Sequence, residues 1–365
     1  MMDSKMPPLI IPIFLPAIGC PERCLFCNQK ASTEAILSPS SVRNFIEAAL
    51  ARIPDDHESR EKQVAFYGGS FTAIRREDQV LYLKEVQPFL ASGLIDSIRI
   101  STRPDALDEE TLSQLKKYGV KTVEIGVQSM IDEVLSLARR GHCAEDTASA
   151  TLRLKQRGLE VGHQLMIGLP GDTFDRFLQT LDRVIELNPD FVRIHPTLVL
   201  KGAPLEELWK DRRYSPLNLD EAVQWLKKGL LKLENSPISV ARIGLQPTLE
   251  LERNYLAGPY HPAFRQLVDS AILFDMARHL LQNNPNGSHA VFSCHPKEIS
   301  NLRGQRNENI LRLKSLFNLT DIFIRGRQEL PRGYLGLQTE GKEAGSSFVK
   351  RQTVKSASLI TLRSW

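Results

Sequence analysis

Apolar runs typical of β-strands alternate with helical stretches about every 30 residues along the first two thirds of this chain. The helical stretches begin after residues that commonly cap helix N-termini, among them Ser38, Asp108 and Thr173. A strand followed by a helix and a further strand is the pattern of parallel βαβ units. The sequence therefore predicts parallel strands over residues 9–16, 63–69, 95–102, 120–128, 159–171, 190–200 and 238–243.

Two architectures fit this alternation, an open doubly wound sheet and a complete or partial (β/α) barrel. In both, functional groups lie at the C-terminal ends of the strands. The polar and glycine-rich segments of the sequence fall at those ends: CPERCLFC, YGGSFT, STRPD, GVQS, GLPGDT and HPT. This coincidence predicts one shared active site at that edge of the sheet.

Composition indicates a globular protein, since 42% of the residues are hydrophobic and 25% are charged. No run of 18 apolar residues is present, so we expect no transmembrane helix and no membrane partner. Prolines interrupt the apolar N-terminal stretch, which argues against a signal peptide. Five cysteines, three of them within eight residues, do not suit a disulfide framework. We therefore expect a cytoplasmic protein.

Positive charge is concentrated at the end of the chain. The net charge is +4, but residues 297–365 hold 13 Lys and Arg against 6 Asp and Glu. Such a segment fits tRNA or another RNA as partner, or a solvated basic face. If residues 299–317 form one helix, Arg303 and Arg306 share a face that could follow phosphates.

The strand and helix alternation stops at about residue 246. Residues 261–282 and 299–317 have helical patterns, and residues 290–296 and 321–326 have strand patterns. The segment from Thr339 is rich in Gly, Ser, Lys and Arg. We therefore expect a βα domain over residues 1–250, a small basic α+β domain over 251–337 and a poorly ordered tail over 338–365.

Cys20, Cys24 and Cys27 follow the first predicted strand with the spacing C-x3-C-x2-C. Three thiolates on one loop can bind three irons of a 4Fe–4S cluster and leave the fourth iron open to a small molecule. A structural zinc site would normally have a fourth Cys or His, and none is obvious nearby in the sequence. The third interpretation is that these are unrelated buried cysteines. We also expect Cys143 and Cys294 to be buried cysteines that bind no metal.

CPERCLFC resembles the cluster loop of radical S-adenosylmethionine (SAM) enzymes. YGGSFT is similar to the glycine pair after their second strand. STRPD, VEIGVQS, RRGH and HQLMIGLPGDT resemble, in order, later strand-end motifs of the catalytic subunit of Elongator, and oxygen-independent coproporphyrinogen oxidases share a weaker form. The resemblance covers about residues 8–250. It implies an α/β fold in which residues 1–250 form a partial (β/α)6-type TIM barrel, with a small C-terminal α+β domain after it.

The resemblance also implies cofactors and their ligands. In the family, thiolates at the positions of Cys20, Cys24 and Cys27 bind a 4Fe–4S cluster, and SAM binds the fourth iron. A reductant such as ferredoxin or flavodoxin supplies the electron that cleaves SAM. No catalytic side chain is implied. The positions that the resemblance assigns to SAM binding are Gly68, Gly69, Ser70, Thr72, Arg103, Gln128, Ser129, Arg140, Met166 and Gly168.

Some of these positions have a structural interpretation as well. Ser70 stands where the family often has Glu, Arg103 can pair with Asp105, and Ser129 can cap a helix. Other polar residues are candidates for substrate contact, namely His142, His195 and Lys201. A last group fits either the mouth of a pocket or a hinge between domains, and comprises Arg242, Gln246, Tyr260 and His261.

The resemblance therefore implies a radical SAM enzyme that abstracts hydrogen from an unidentified substrate, with a tRNA base as one candidate. Elongator's acetyltransferase is not carried over. The 115 residues after Glu250 hold no convincing glycine-rich acyl-CoA loop. The alternative is a non-enzymatic protein, either an iron–sulfur protein or a zinc-stabilised RNA-binding adaptor on a barrel without catalysis.

Overall fold

The computed structural model describes residues 7–16, 18–20, 24–28, 37–54, 60–284, 287–338 and 346–351. The chain divides into two compact units. The first comprises Met1–Leu217 with Ile238–Tyr260, and the second comprises Asn218–Pro237 with His261–Trp365. The domain boundaries expected from the sequence stay a prediction. Within the predicted tail, Ser346–Lys350 forms a strand, whereas residues 339–345 and 352–365 lie outside the described residues.

The first unit is built on a seven-stranded sheet in which every neighbouring pair is parallel. The strands are β1 (Leu9–Leu15), β2 (Lys62–Gly68), β3 (Ser97–Thr102), β4 (Val120–Gln128), β5 (Glu160–Ile167), β6 (Phe191–Pro196) and β8 (Ser239–Ile243). Their spatial order follows their order in the chain. A doubly wound sheet would instead reverse direction at a switch point.

The sheet is curled. Arg193 on β6 donates from Nη2 to the hydroxyl of Tyr67 on β2 at 3.4 Å. Four strand spacings separate these strands along the sheet, which is roughly 19 Å in a flat sheet. The side chains can meet only if the sheet bends towards its own first strands. The expected partial (β/α) barrel is therefore confirmed, and the doubly wound alternative is wrong.

Helices of the first unit connect the strands. They are α1 (Pro39–Leu50), α2 (Arg76–Ala91), α3 (Glu109–Lys117), α4 (Asp132–Leu137), α5 (Ala144–Gln156), α6 (Phe174–Leu187), α7 (Leu205–Lys210) and α9 (Leu249–Asn254). Thr173 accepts a hydrogen bond from the Arg176 amide at the start of α6. Phe177, Leu181 and Val184 form the buried stripe of this helix. Asp108 caps α3 in the same way, so these two predicted caps are confirmed. The predicted cap Ser38 is wrong, because its hydroxyl lies beside those of Ser40 and Ser41 and makes no capping hydrogen bond at the start of α1.

The sixth strand is shorter than predicted. It ends at Pro196, which has no amide hydrogen for the next ladder bond. The chain then forms β7 (Val199–Leu200), which pairs antiparallel with β9 (Tyr255–Ala257). Residues 190–200 are therefore two strands in two sheets, whereas the sequence predicted one.

The second unit is α+β, as expected. Its sheet has the order β11-β10-β12-β13 and mixes parallel and antiparallel pairs. The strands are β10 (His289–Cys294), β11 (Asp321–Gly326), β12 (Tyr334–Gln338) and β13 (Ser346–Lys350). The helices are α8 (Leu219–Leu233), α10 (Phe264–Asn283), α11 (Ile299–Arg303) and α12 (Glu308–Phe317).

The single helix predicted over residues 299–317 is wrong. Gly304 has φ +73°, and Arg306 and Asn307 follow with φ +50° and +63°. These left-handed conformations break the helix between α11 and α12. Arg303 and Arg306 therefore do not share the face of one continuous helix. Among the described residues, no helix combines the length and apolar character that crossing a bilayer requires.

Candidate functional site at the C-terminal edge of the barrel

The cysteine loop follows β1 and is held by backbone hydrogen bonds to two other segments. The Leu25 amide donates to the Ala138 carbonyl at 3.1 Å, and the Leu25 carbonyl accepts from the Leu205 amide at 2.8 Å. Cys24 is 7% exposed, whereas Cys20 and Cys27 are partly exposed. The loop is therefore anchored beside the C-terminal end of α4 and the start of α7.

Two guanidinium groups lie beside these thiols. Arg140 donates from Nη1 to Cys24 Sγ at 3.1 Å and from Nη2 to the Gly126 carbonyl at 2.8 Å. The hydrogen bonds of Asp105 raise the pKa of Arg103 most, and the nearby Cys24 and Cys20 raise it further. Positive charge close to a thiol favours the thiolate, which is the form that binds metal.

The chemistry of this donor set fits an iron–sulfur cluster, because two of its three thiols, Cys20 and Cys24, lie near the guanidinium groups of Arg103 and Arg140. In the described part of the chain, no three His, Cys, Asp or Glu side chains are grouped so as to hold one metal ion. Thiolates that hold a 4Fe–4S cube each bind a different iron, so they need not meet around one ion. Metal binding by Cys20, Cys24 and Cys27 stays a prediction.

Gly68 and Gly69 lie against the chain's own backbone at the end of β2. A Cβ on Gly69 would stand 2.0 Å from the Ile18 carbonyl oxygen and 2.9 Å from that of Leu15. The Gly69 amide donates to Leu15 at 2.9 Å, and the Ser70 amide donates to Ile18 at 3.1 Å. The described contacts therefore explain why residue 69 is a glycine: the segment that leads to Cys20 passes too close for a side chain. Contact of the pair with SAM stays a prediction.

Ser70 and Thr72 are buried where β2 and β3 end. The Thr72 hydroxyl lies 2.6 Å from the Thr102 hydroxyl, so one donates to the other. The Ser70 carbonyl accepts from the Ala73 amide at 3.0 Å. These contacts join the two strand ends and fix the short turn after the glycine pair.

Arg103 forms a bidentate ion pair with Asp105, which is the structural role that the sequence indicated as an alternative to SAM binding. Its Nε and Nη2 donate to the two carboxylate oxygens at 2.8 and 2.7 Å. Burial raises the pKa of Asp105, but the Arg103 guanidinium outweighs it and the net pKa is lowered. The pair is therefore ionised at neutral pH, and Asp105 occupies one edge of the Arg103 fork.

Gln128 and Ser129 form a tight turn at the end of β4. Gln128 has φ +65°, a conformation that is uncommon for a residue with a side chain, and the Ser129 amide donates to Val127 at 2.8 Å. The Ser129 hydroxyl accepts from the Ile131 amide at 3.2 Å and lies 3.2 Å from the Thr180 hydroxyl. Ser129 therefore orders the turn that leads into α4.

Gly126 is where the predicted residues of different strands converge, and the sequence analysis did not single it out. A Cβ there would stand 3.0 Å from Gln128 Nε2, 3.1 Å from Arg140 Nη2 and 3.6 Å from the Thr102 carbonyl oxygen. A glycine inside a strand often marks a close approach, and this was the available signal. Cys24, Gln128 and Arg140 are thus brought together around it.

Met166 lies near the end of β5, and Gly168, directly after that strand, lines a cavity of about 400 Å³. Met166 packs against the apolar cluster of Val134, Ala138 and Leu169. The Gly168 carbonyl accepts from the Tyr214 hydroxyl at 2.6 Å, and its amide donates to Asp172 at 2.9 Å. Leu25, Leu137, Tyr214 and residues 168–172 form part of the cavity wall.

His142 is a buried histidine whose ring nitrogens make no hydrogen bond of normal geometry with the described residues, although the Val127 backbone lies close to the ring. Burial, and then the charge of Arg140, lower the pKa of His142 to about 4. His195 Nδ1 bonds to the Gly244 carbonyl at 3.0 Å, and its pKa is lowered to about 4, chiefly by burial. Both rings are neutral at pH 7, whereas Lys201 is exposed.

Cys143 is exposed, so its interpretation as a buried cysteine is wrong. Its amide and thiol both donate to Asp146 at the start of α5, at 2.8 and 3.2 Å. This helix-capping role keeps the side chain at the surface. Cys294 is buried as expected, and burial raises the pKa of its thiol to about 11.

A charged network lies inside the barrel, and none of the sequence motifs predicted it. Glu124 on β4 is fully buried and pairs with Arg99 on β3 at 2.8 Å and Arg193 on β6 at 2.9 Å. Tyr67 and Gln164 donate to its carboxylate at 2.9 and 3.0 Å. The available signal was a charged residue in the middle of each otherwise apolar strand: SIRIST, VEIGV and FVRIHP.

Residues 14–184 match the family model of the radical SAM superfamily, and residues 189–273 match that of the radical SAM C-terminal domain. The chain is 33% identical over 188 residues to tRNA uridine(34) acetyltransferase of Methanocaldococcus jannaschii, covering 46% of this chain and 35% of that protein. It is 35% identical over 188 residues to Elongator complex protein 3 of Saccharomyces cerevisiae, covering 46% and 34%.

The fold is similar to a solved structure of Methanocaldococcus infernus Elp3. The TM-score is 0.58 at 24% identity, and the match covers 72% of this chain and 62% of that one. The matched stretch spans only about a third of the two curated relatives' lengths. The two family matches nevertheless cover more than two thirds of this chain, on a partial barrel with the cysteine loop after its first strand. The chain belongs to the radical SAM superfamily, a family of enzymes that implies a 4Fe–4S cluster and SAM.

Proposed function

We propose that this protein is a radical SAM enzyme that binds a 4Fe–4S cluster through Cys20, Cys24 and Cys27. The observation that carries the proposal is the buried Cys24 thiol under the Arg140 guanidinium, at the same sheet edge as the other strand-end motifs. When bound, the cluster and SAM supply one-electron cleavage of the sulfonium C–S bond to methionine and a 5′-deoxyadenosyl radical, which abstracts hydrogen from substrate.

The chain's own residues would organise this chemistry. Arg140 holds the Cys24 sulfur against the end of β4, because its guanidinium donates to both Cys24 Sγ and the Gly126 carbonyl. Phe26 packs against two apolar clusters, one that contains Val134 and one that contains Val199, and this packing would limit the access of water to the loop. The hydroxyls of Thr72 and Thr102 bond to each other and so join the ends of β2 and β3.

The cavity beside Gly168 is the proposed site of the adenine side of SAM. Its volume of about 400 Å³ lies within the usual range for small-ligand pockets. Leu25 and Leu137 offer apolar surface, and the backbone of residues 168–172 offers polar groups. The other proposed SAM contacts are those of the sequence analysis, with Arg103 acting through the part of its fork that Asp105 leaves open.

The test is anaerobic reconstitution with iron and sulfide, followed by reduction, addition of SAM and measurement of 5′-deoxyadenosine. We expect product from the native chain and none from the triple variant Cys20→Ala, Cys24→Ala, Cys27→Ala. Cys143→Ser is the matched control, because this exposed thiol bonds to Asp146 at the start of α5 and is not one of the proposed ligands. A cluster that forms without binding or cleaving SAM would favour a non-enzymatic iron–sulfur protein. Zinc without iron would favour the RNA-binding adaptor.

We further propose a tRNA base as substrate and a ferredoxin or flavodoxin as reductant, in the cytoplasm. The support is the chain's similarity to proteins named tRNA uridine(34) acetyltransferase, together with the basic second unit. Lys297, Arg303, Arg306, Arg325, Arg327 and Arg332 are exposed in that unit. Acetyl transfer is not part of the proposal. Incubation of the reduced, reconstituted enzyme with SAM and bulk tRNA should raise 5′-deoxyadenosine above the rate without RNA.

A further inference from the structure

The inside of the barrel carries more positive than negative charge. Arg99, Arg193 and Arg242 stand on β3, β6 and β8, and the carboxylates paired with them are Glu124 and Glu160. Glu124 pairs with Arg99 and Arg193, while Glu160 lies 3.7 Å from Arg99. Arg242 has no carboxylate within ion-pair distance among the residues that the structure describes. One guanidinium of the three is therefore left without a negative partner.

Arg242 also lies beside a like charge. In the parallel pairing of β6 with β8, Arg193 and Arg242 are directly opposite each other. Like charges in that relation destabilise a sheet. Burial, and then the charge of Arg193, lower the pKa of Arg242. An anion placed between the two guanidinium groups would remove this repulsion.

Both arginines keep hydrogen-bond donors for such an anion. Arg242 donates from Nη2 to Gln246 Oε1, and the structure shows no partner for its other guanidinium nitrogens among the described residues. Arg193 places Nε 2.9 Å from Glu124 as an ion pair without hydrogen-bond geometry and donates from Nη2 to Tyr67, and among the described residues no partner is shown for its Nη1. A planar guanidinium fork matches the oxygens of a carboxylate or a phosphate.

We propose that Arg242 and Arg193 bind an anionic group of the substrate, a carboxylate or a phosphate, inside the barrel. That the bound molecule is the substrate rests on the proposed function, whereas anion binding itself requires no cluster. The arginine pair stands on the last two strands of the sheet, and the cysteine loop follows the first. The pair would thus hold the substrate from the strands at the other edge of the sheet from β1, which leads to the cysteine loop.

The test measures anion binding to the full chain without cluster or SAM. Inorganic phosphate and acetate are titrated separately, and binding is followed by isothermal calorimetry and by the melting temperature. We expect at least one probe to bind the native protein, and Arg242→Gln to weaken that binding at least tenfold. Phosphate alone would indicate a phosphorylated substrate, and acetate alone a carboxylic acid. Arg253→Gln is the control, because Arg253 is an exposed arginine of the same unit whose ion pair is with Glu250.

A second readout separates a binding role from a structural one. Without an anion, Arg242→Gln should raise the melting temperature by on the order of 1 °C, because it removes a like-charge pair. A structural arginine would give a lower melting temperature. The proposal is overturned if Arg242→Gln lowers it, if the variant binds both probes as the native protein does, or if the native protein binds neither. SAM cleavage is tested separately, so either proposal can fail alone.

Discussion

Arg140 shows how one side chain can connect the cysteine loop to the barrel. It comes from the turn after α4 and bonds to both Cys24 Sγ and the Gly126 carbonyl. A cationic donor to a ligating sulfur stabilises the reduced, more negative form of a cluster. On the proposed function, Arg140 would therefore tune the reduction potential of the cluster as well as hold the loop.

We predict that Arg140→Gln lowers the reduction potential of the reconstituted cluster by on the order of 60–100 mV, the electrical equivalent of one charge-assisted hydrogen bond. The measurement is a redox titration followed by electron paramagnetic resonance. Arg139→Gln is the control, because the neighbouring side chain is exposed. Equal shifts in the two variants would contradict the assignment of Arg140 to the cluster.

His163 gives a residue-scale prediction for pH. It is fully buried on β5, and Thr151 Oγ1 lies 2.9 Å from its Nε2 while donating to the Thr147 carbonyl. His163 Nδ1 has no partner among the described side chains and backbone groups, so a proton there would be a buried, uncompensated charge. Burial lowers its pKa to about 3, so the ring is neutral in the folded protein.

Because this folded-state pKa lies below that of an unfolded histidine, its contribution to stability is complete above about pH 6.5. It is lost as the pH falls from there towards 3. Between pH 6 and 4 the native chain should therefore lose about 1.4 kcal/mol per pH unit more than His163→Gln, which keeps a donor but does not titrate. Urea denaturation at several pH values measures the difference, and identical slopes would refute it.

At the scale of elements, the turn after β2 depends on the missing side chain of Gly69. A Cβ would press on the backbone of Ile18 and Leu15, which cannot move as a flexible side chain can. The segment with Leu15 and Ile18 leads to the cysteine loop, and the segment after Gly69 contains the buried Ser70 and Thr72. A side chain at residue 69 should therefore disturb the cysteine loop as well as lower the stability of the fold.

We predict that Gly69→Ala lowers the free energy of unfolding by at least about 2 kcal/mol and reduces iron bound after reconstitution. Gly93→Ala is a matched control, because Gly93 has φ +73° but open space around its Cβ position. It should cost only about 1 kcal/mol, from the left-handed backbone, and leave iron loading unchanged. Equal losses of stability and iron in the two variants would contradict this account.

The starts of α3 and α6 were predicted correctly because their causes are local, whereas β5 ends at Ile167 and not at residue 171. The caps Asp108 and Thr173 and the stripe of α6 follow from neighbouring residues alone. The break at Gly304 was missed because the apolar pattern of α11 and α12 continues across it, so the sequence looks like one helix. Two successive left-handed residues, Arg306 and Asn307, decide otherwise, and apolar periodicity does not report backbone conformation.

For the whole molecule, the basic second unit predicts an RNA affinity that falls with salt. Bound cations release counterions from phosphates, so the logarithm of the affinity falls linearly with that of the salt concentration. The double variant Arg303→Gln with Arg306→Gln should reduce the magnitude of this slope by about 1–2. Filter binding of tRNA over a salt series measures it.

The control for the RNA experiment is Arg52→Gln with Arg139→Gln, two exposed arginines of the first unit. It removes the same net charge from a different surface. If both double variants change the slope equally, the effect is one of overall charge and the second unit is not the RNA-binding surface. A native chain that does not bind tRNA would contradict the proposal directly.

The sequence by itself determined the order of strands and helices and the motifs that end the strands. These depend on periodicity, caps and turns that span a few residues. It also placed the candidate ligands at one edge, because parallel strands end together. From the sequence, Ser129 and Arg103 could each bind SAM or have a structural role. In the structure Ser129 contacts Thr180 and Arg103 pairs with Asp105, so each has a structural role.

Only the tertiary structure decided that the sheet curls and which charges meet inside it. Tyr67, Glu124 and Arg193 are separated by 57 to 126 positions, and Arg140 stands 116 positions from Cys24. No local pattern pairs residues so far apart. The curl of the sheet and the register of its strands bring them into contact, and both arise from packing the whole sheet. For that reason, the surplus charge of Arg242 became visible only in the folded molecule.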